Sequence, residues 1–358
     1  MNDVRGEIRQ FVSTNMSALA DGVIHDSDNI FELGFVTSMF AMQLLEFLEK
    51  QFDVEVPDEM VTLANFSSVN KMSEMVEESP LVDSREDVLS RAQALADEVA
   101  PQAGHFDREE ALPREVIQRM ADEGFLGAMV PQAFGGLGLD PLEYGDLTEI
   151  IGKACSSTRA LLTVHASLVA ETLVKRGSDE LKAKYLPDLA SGRKLACFAL
   201  SEPQVGSDAS SVRTTYRREG DSYVINGRKK WISFAGIADL FLVIASDEGA
   251  VTAFIVERSM GGVSTHPMTG LLGSRAAHIA EVEFRNVVVP AENVVSRVGV
   301  GFSFVANTAL YYGRYSIAWA GVAIAQAALD LMCTYATVRE QFGQRIGSYQ
   351  LVQGLVAD

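Results

Sequence analysis

Cysteine and histidine are scarce in this chain, and each scarcity removes a class of function. Its 358 residues hold three cysteines, Cys155, Cys197 and Cys333, far apart and odd in number. That excludes a disulfide framework and offers no metal-ligand spacing, so the thiols read as buried and free in a reducing cytoplasm. The five histidines, His25, His105, His165, His266 and His278, are scattered, and none is assigned to catalysis or to a metal. Basic residues are short as well: 30 Lys and Arg against 48 Asp and Glu leave a net charge of −18. So acidic a surface repels nucleic-acid backbones and anionic membranes. No uninterrupted apolar run approaches the ~20 residues of a membrane span. The N-terminus carries Asp3 and no apolar secretory core. Internal repeats and low-complexity tracts are missing too. These absences describe a cytoplasmic protein with neither a nucleic-acid nor a membrane partner.

What is present is a large apolar fraction, 47% of the chain, enough for two or three packed domains. The charge is uneven. Residues 1–80 hold 15 Asp and Glu against 4 Lys and Arg, a balance of −11 out of the −18, which marks a separate acidic module. Within it Val4, Ile8, Phe11, Val12 and Met16 recur at helical spacing over 4–18. Phe40, Leu44, Leu45, Phe47 and Leu48 do so over 38–51, Pro57 starts a short third element, and Ser67–Glu78 reads as a last helix. The expectation is a four-helix bundle over 1–79 and a polar linker over 80–87, with Ser79, Pro80 and Ser84 in the connecting stretch. Residues 88–194 are again helical in pattern, with Gly135, Gly136 and Gly138 in one loop. From 195 to 298 the period changes to short β-rich runs, at 222–226, 240–245, 251–257 and 280–289, and Asn226–Gly227 reads as a hairpin turn. Helical character returns over 299–358, with one apolar-periodic stretch from Phe302 to Arg339 and a second helix near Tyr349. The fold class is multidomain α+β.

The stretch Phe31-Glu-Leu-Gly-Phe-Val-Thr-Ser-Met-Phe-Ala-Met-Gln-Leu-Leu, followed by Phe52-Asp-Val-Glu-Val-Pro-Asp-Glu59, resembles the pantetheine-attachment region of acyl carrier proteins. Counting back from Phe52 places the modified residue at Ser38 rather than Thr37. A serine at a helix start suits a phosphodiester, because free N–H groups and the helix dipole favour the anion. The competing reading makes Thr37 and Ser38 helix caps only. Thr37-Ser38-Met39 departs from the usual Asp-Ser-Leu and is similar to carriers of methoxymalonyl- and aminomalonyl-type extender-unit pathways. The resemblance implies a covalent 4'-phosphopantetheine, a phosphopantetheinyl transferase and an acyl-loading enzyme.

Residues 87–358 resemble an acyl-CoA dehydrogenase on five segments in order: Gly135-Gly-Leu-Gly-Leu, Leu200-Ser-Glu-Pro-Gln-Val-Gly-Ser-Asp208, Asn226-Gly-Arg-Lys-Lys-Trp-Ile-Ser233, Phe284-Arg-Asn-Val-Val-Val-Pro-Ala-Glu-Asn-Val294 and Arg339-Glu-Gln-Phe-Gly343. The implied architecture is an all-α domain, a β-barrel-like flavin-binding domain and a partial C-terminal helical domain. The implied cofactor is FAD. A flavin needs an apolar wall and hydrogen bonds at its edge. By resemblance Phe198, Leu200 and Ser201 line its ring, Trp231 packs near it, and Ser233 bonds near N5. Gly206 belongs to the cofactor-binding set and Ser207 contacts the pyrophosphate, while Arg339 and Phe342 reach the FAD of a neighbouring subunit in a dimer or tetramer. Singly, each has a plainer reading: core tryptophan, surface arginine, turn glycine.

Dehydrogenation of a thioester needs a base for the α-proton. One family position for it is held here by Gly313, and no base is identifiable. The C-terminal domain reads as incomplete, since two helices cannot close a four-helix bundle. Gly313-Arg-Tyr-Ser-Ile-Ala-Trp-Ala320 is similar to acyl-ACP dehydrogenases of methoxymalonyl-type pathways, with Tyr311, Tyr312 and Arg314 as candidates for lining the substrate pocket. The expected activity is FAD-dependent dehydrogenation of a short acyl group on the chain's own carrier, with an electron-transfer flavoprotein as a candidate acceptor. Two alternatives stand beside it: a flavin oxygenase of the same fold, and a non-catalytic carrier that docks partner enzymes.

Overall fold

The computed structural model describes residues 3–15, 24–31, 38–52, 54, 56–57, 60–78 and 85–358; at positions 38, 39 and 78 it describes the backbone alone. The chain divides into two compact units, 1–87 and 88–358.

In the first unit, α1 (Val4–Asn15), α2 (Ser38–Phe52) and α3 (Val69–Glu78) pack their apolar faces together. Ile8 and Val12 from α1, Leu44 and Leu48 from α2, and Val69 and Met72 from α3 are fully buried. Arg9 clamps the connecting loop with a forked bond to Asp26, at 2.8 and 2.9 Å. Residues 58 and 59 of the short third element expected from Pro57 lie outside the described residues; Met60 is in 3-10 helix, and its N–H donates to the Pro57 carbonyl at 2.8 Å. Asn65 Nδ2 donates to the Met60 carbonyl and Thr62 Oγ1 accepts from the Asn65 backbone N–H; such local bonds compete with carrying a helix past Met60. Met16 and much of the linker stretch, 79–84, lie outside the described residues. The linker expected over 80–87 is shorter than read, because α4 (Arg85–Val99) already includes 85–87. Glu86 and Asp87 favour the helix N-terminus, and Val88 is buried.

The second unit continues with α5 (Ala103–Glu109), α6 (Arg114–Asp122), α7 (Pro141–Ala154), α8 (Ser156–Leu161), a wide π-helical stretch Leu162–Ala170, α9 (Glu171–Arg176) and α10 (Asp179–Ala190). Asp140 and Glu143 form a capping box that starts α7. The β region comprises β1 (Ala196–Ala199), β2 (Thr215–Glu219), β3 (Ser222–Ile232), β4 (Leu240–Asp247), β5 (Ala250–Glu257), β6 (Val263–Pro267), β7 (Ala280–Pro290) and β8 (Val294–Val295). The strands run β6-β7-β3-β2-β4-β5-β8, with β1 pairing parallel to β4. Asn226–Gly227 is not the hairpin turn it resembles. It lies inside β3, and the turn falls at Gly220–Asp221, where Glu219 pairs with Ser222. The Asn226 amide exchanges two hydrogen bonds with Asn286, at 3.1 and 2.8 Å, and Thr214 packs where a Cβ on Gly227 would stand. Tertiary pairing has overridden the local turn signal.

A second π-helical stretch, Gly301–Ala306, leads into α11 (Asn307–Val338); then come β9 (Glu340–Gln341), β10 (Gln344–Arg345) and α12 (Gln350–Ala357). The inner face of α11 packs on α7 and on the 162–170 stretch. Its outer face leaves Ile317, Ile324, Leu331, Tyr335 and Val338 exposed. Cys333 is exposed there too, which corrects the expectation of three buried thiols; Cys155 and Cys197 are buried. Helix 301–338 is also long and apolar enough to cross a membrane by length and composition. The run-based reading missed this because Arg314 and scattered polar residues interrupt the apolar stretch.

Candidate functional site

Ser38 is the first residue of α2, so its backbone stands at a helix N-terminus as the carrier reading requires. Its side chain and the neighbouring Thr37 lie outside the described residues.

The predicted flavin residues gather where the end of β1 meets β3. Phe198 and Ser201 are half-buried and Leu200 is buried. The Lys230 amide donates to the Ser201 carbonyl at 2.9 Å, which draws the Trp231–Ser233 segment to the β1 exit. β3 is bulged against β7 between Lys229 and Ile232. Trp231 and Phe234 both take left-handed backbone, φ 64° and 59°. Such conformations cost about 1–3 kcal/mol each in a non-glycine residue and cluster at functional sites, as bulges do. Here they turn Trp231 outward: its indole is 54% exposed, with Lys230 Nζ 5.1 Å from the ring centre. The plain core reading of Trp231 therefore fails.

Glu202 and Lys229, quoted in the motifs without a role, tie the two segments together. Lys229 Nζ is completely buried and donates to Glu202 Oε1 at 2.8 Å, to the Leu200 carbonyl at 3.0 Å and to the Ile244 carbonyl at 2.7 Å. An ammonium has three donors, and all are used. The two Glu202 oxygens accept from the Arg213 and Thr214 amides, at 2.8 and 2.9 Å. Burial brings the Lys229 ammonium down to about 8, against the pull of Glu202. Burial pushes the Glu202 carboxyl up, but the charge and hydrogen bond of Lys229 with the Thr214 contacts outweigh it and hold the group below its ordinary value. The carboxylate–ammonium form is thus the native one. Only the fold could reveal this pair, which spans 27 residues.

Gly206 and Ser207 are exposed on the loop after β1. A Cβ added at Gly206 would meet nothing within 4 Å, so the loop leaves open room. Asp208 secures the loop by accepting from the Ser210 and Ser211 hydroxyls, at 3.1 and 2.5 Å, and these bonds keep its carboxyl low. The set fits a flavin dinucleotide: an apolar wall from Phe198 and Leu200, an outward-facing indole, hydroxyls of Ser201 and Ser233, and an open glycine–serine loop. Arg339 and Phe342 are not part of this cluster. They belong to the β9–β10 hairpin, whose two-residue tip, Phe342 and Gly343, has φ 54° and 78°. Phe342 is 95% exposed there.

Tyr311 and Tyr312 line an open cavity of about 440 Å³ together with Lys175, Arg176, Ser303, Asn307 and Thr308. Arg314 is exposed and is not among its lining residues. Arg176 Nε donates to Thr308 Oγ1 at 2.9 Å, and its guanidinium lies over Phe304. Beside the cavity Glu171 is buried, 3.2 Å from Lys175 Nζ, and its second oxygen has no hydrogen-bond partner among the described residues. Burial raises its carboxyl, with Lys175 and Tyr312 pulling the other way. Nothing in the motifs signalled Glu171, Lys175 or Arg176. At Gly313 a Cβ would come within 2.5 Å of Leu168 Cδ2. The family position for a base is therefore closed by packing, so no side chain fits it without moving Leu168.

Four family models match the chain. One for a phosphopantetheine attachment site covers residues 7–76, and three for the N-terminal, middle and C-terminal domains of acyl-CoA dehydrogenase cover 84–193, 197–287 and 299–358. The last accounts for helix 301–338 as part of that C-terminal domain. The short-chain specific acyl-CoA dehydrogenase of Clostridium acetobutylicum is 35% identical over 266 residues, 73% of this chain and 70% of its own length. The mitochondrial short-chain enzyme of Mus musculus is 37% identical over 266 residues, and the chain spans 64% of its length. Among solved structures, FkbI for biosynthesis of the methoxymalonyl extender unit of Fk520 is similar, with TM-score 0.71, 35% identity and 75% of both chains covered. The chain belongs to the acyl-CoA dehydrogenase family of FAD-dependent oxidoreductases, here preceded by a 4'-phosphopantetheine attachment domain.

Proposed function

We propose that this protein dehydrogenates a short acyl group held as a thioester on the phosphopantetheine of Ser38, in the making of a hydroxy- or aminomalonyl-type extender unit. The observation that carries the reading is the union of an attachment domain and a dehydrogenase body in one chain. Likeness to FkbI supports the extender-unit setting. Tethering replaces free diffusion of substrate with an effective concentration of roughly millimolar. FAD, when bound, supplies the hydride acceptor. Phe198, Leu200 and Trp231 give it an apolar wall, Ser201 and Ser233 face its edge, and Gly206 and Ser207 hold its pyrophosphate. The exposed Arg339 and Phe342 serve the FAD of a second subunit in a homo-oligomer. The cavity of Tyr311 and Tyr312 admits the substrate arm. Arg314, outside that cavity, keeps no role in it. A phosphopantetheinyl transferase and an acyl-loading enzyme act upstream, in the cytoplasm, and an electron-transfer flavoprotein takes the electrons.

The test has two arms. Intact mass after phosphopantetheinyl transfer should rise by one arm in the wild type and not in Ser38→Ala; a gain in both refutes Ser38. Three- and four-carbon acyl groups are then loaded anaerobically, and bleaching of the visible flavin absorbance is followed. No bleaching with any of them sinks the dehydrogenase reading. Oxygen uptake with an added oxygen atom in the product would replace it with an oxygenase.

A further inference from the structure

Lys175 and Arg176, side by side at the end of α9, both line the cavity of about 440 Å³ next to Tyr311 and Tyr312. Every residue of that lining carries a side-chain hydrogen-bond donor, and none is a carboxylate. On a chain of net charge −18, which repels anions at large, such a lining stands apart.

The two cations are held in place. Arg176 is exposed, yet its guanidinium is fixed on two sides. Its Nε donates to Thr308 Oγ1 at 2.9 Å, and the group lies 5.6 Å from the centre of the Phe304 ring. Thr308 is fixed in turn, since its hydroxyl donates to the Phe304 carbonyl at 2.6 Å. Among the described residues no carboxylate pairs with Arg176, so both Nη groups are left to donate. Lys175 Nζ stands 3.2 Å from the buried Glu171, whose charge holds the ammonium above its ordinary value. That contact uses one of its three donors. Tyr311 is 67% exposed and packs edge-on against Tyr312, with ring centres 5.2 Å apart.

We propose that this cavity is an anion site that takes a phosphate group. A carboxylate would be served by the guanidinium fork alone. A phosphate offers further oxygens, and an ammonium and a phenol stand beside the fork to take them. The inference deepens the dehydrogenase reading above, in which the cavity admits the substrate arm, by naming the arm's phosphate as the group recognised. Free phosphate has the same chemistry, and the test separates the two sources.

The test uses the FAD-loaded full chain carrying Ser38→Ala, so that no arm of its own competes. Binding of 4'-phosphopantetheine, pantetheine and inorganic phosphate is measured by calorimetry. 4'-Phosphopantetheine should bind about tenfold tighter than pantetheine, the scale of one charge-assisted contact. Arg176→Gln should abolish that preference, while Arg176→Lys, which keeps the charge without the fork, should hold it at a few-fold. Inorganic phosphate should compete weakly with 4'-phosphopantetheine; if it binds as tightly, the anion site stands and belongs to free phosphate. Equal binding of pantetheine and 4'-phosphopantetheine, with no binding of phosphate, overturns the inference, as does a preference that survives Arg176→Gln. If Arg176→Gln fails to fold, a reduced preference in Thr308→Val, which frees the guanidinium, supports the inference, and an unreduced one overturns it. Should flavin bleaching succeed on carrier-bound acyl groups while phosphate brings no preference, this inference alone fails. Should the preference hold and bleaching fail, the phosphate site stands without the dehydrogenase reading.

Discussion

Replacing Lys229 with methionine removes the pin between the two flavin motifs, and the structure lets the cost be worked out. Methionine fills most of the volume but donates nothing. Glu202 keeps its amide donors from Arg213 and Thr214 but loses its counter-ion, and the Leu200 and Ile244 carbonyls lose their Nζ donor. Breaking a buried pair by removing one partner costs about 3–5 kcal/mol. For a unit of this size that is a fall of roughly 10 °C in midpoint. Glu202→Gln should cost less in charge but more in geometry. Its amide nitrogen would face the Arg213 or Thr214 N–H, donor against donor. Lys229→Met combined with Glu202→Leu removes both charges, so it should recover about 1–3 kcal/mol relative to the sum of the single changes.

The assay is urea unfolding of wild type, Lys229→Met, Glu202→Gln, Glu202→Leu and the Lys229→Met/Glu202→Leu double variant, followed by far-UV circular dichroism, with retained flavin absorbance as the second readout. The Leu200 carbonyl is held from below by Lys229, and Trp231 lies two residues beyond it. FAD retention should therefore fall more steeply than global stability predicts. Two results would refute the reasoning: single changes within about 0.5 kcal/mol of wild type, the usual range for surface substitutions, or strict additivity in the double variant.

Other outcomes follow from buried groups outside the flavin site. Burial brings the His165 imidazole down to about 4, below its unfolded value of about 6.5. Its contribution, about 3 kcal/mol, is thus present above pH ~6.5 and lost as pH falls toward 4; His165→Gln should flatten that limb of a stability-versus-pH curve, and an unchanged limb would count against it. Gly313→Ala should destabilise by about 1–3 kcal/mol through overpacking, despite the helix propensity of alanine. The loss should shrink in a Leu168→Ala background, where denaturation curves that stay additive would reject the contact.

How much of this was legible in the sequence depends on the range of the interaction that decides each feature. Trp231 and Ser233 were singled out only through the resemblance of the segment Asn226–Ser233 to a family motif. That the indole faces outward was not legible, since it follows from a bulge between Lys229 and Ile232 that only the pairing with β7 creates. Asn226–Gly227 failed for the same reason in reverse: its turn propensity is local, while its fate is set by Asn286, 60 residues away. α1, α2 and α3 were legible because amphipathic period is a local property, and α4 began earlier than the polar composition of its first turn suggested. Gly313 could be read as a missing base but not as a filled position, because Leu168 is far off in sequence. Arg159 was invisible altogether, since a charge looks alike in any sequence whether it ends in solvent or in the core. Local spacing therefore reports residue types and helical faces, and only the fold reports which charges, such as Lys229 and Arg159, end in the core.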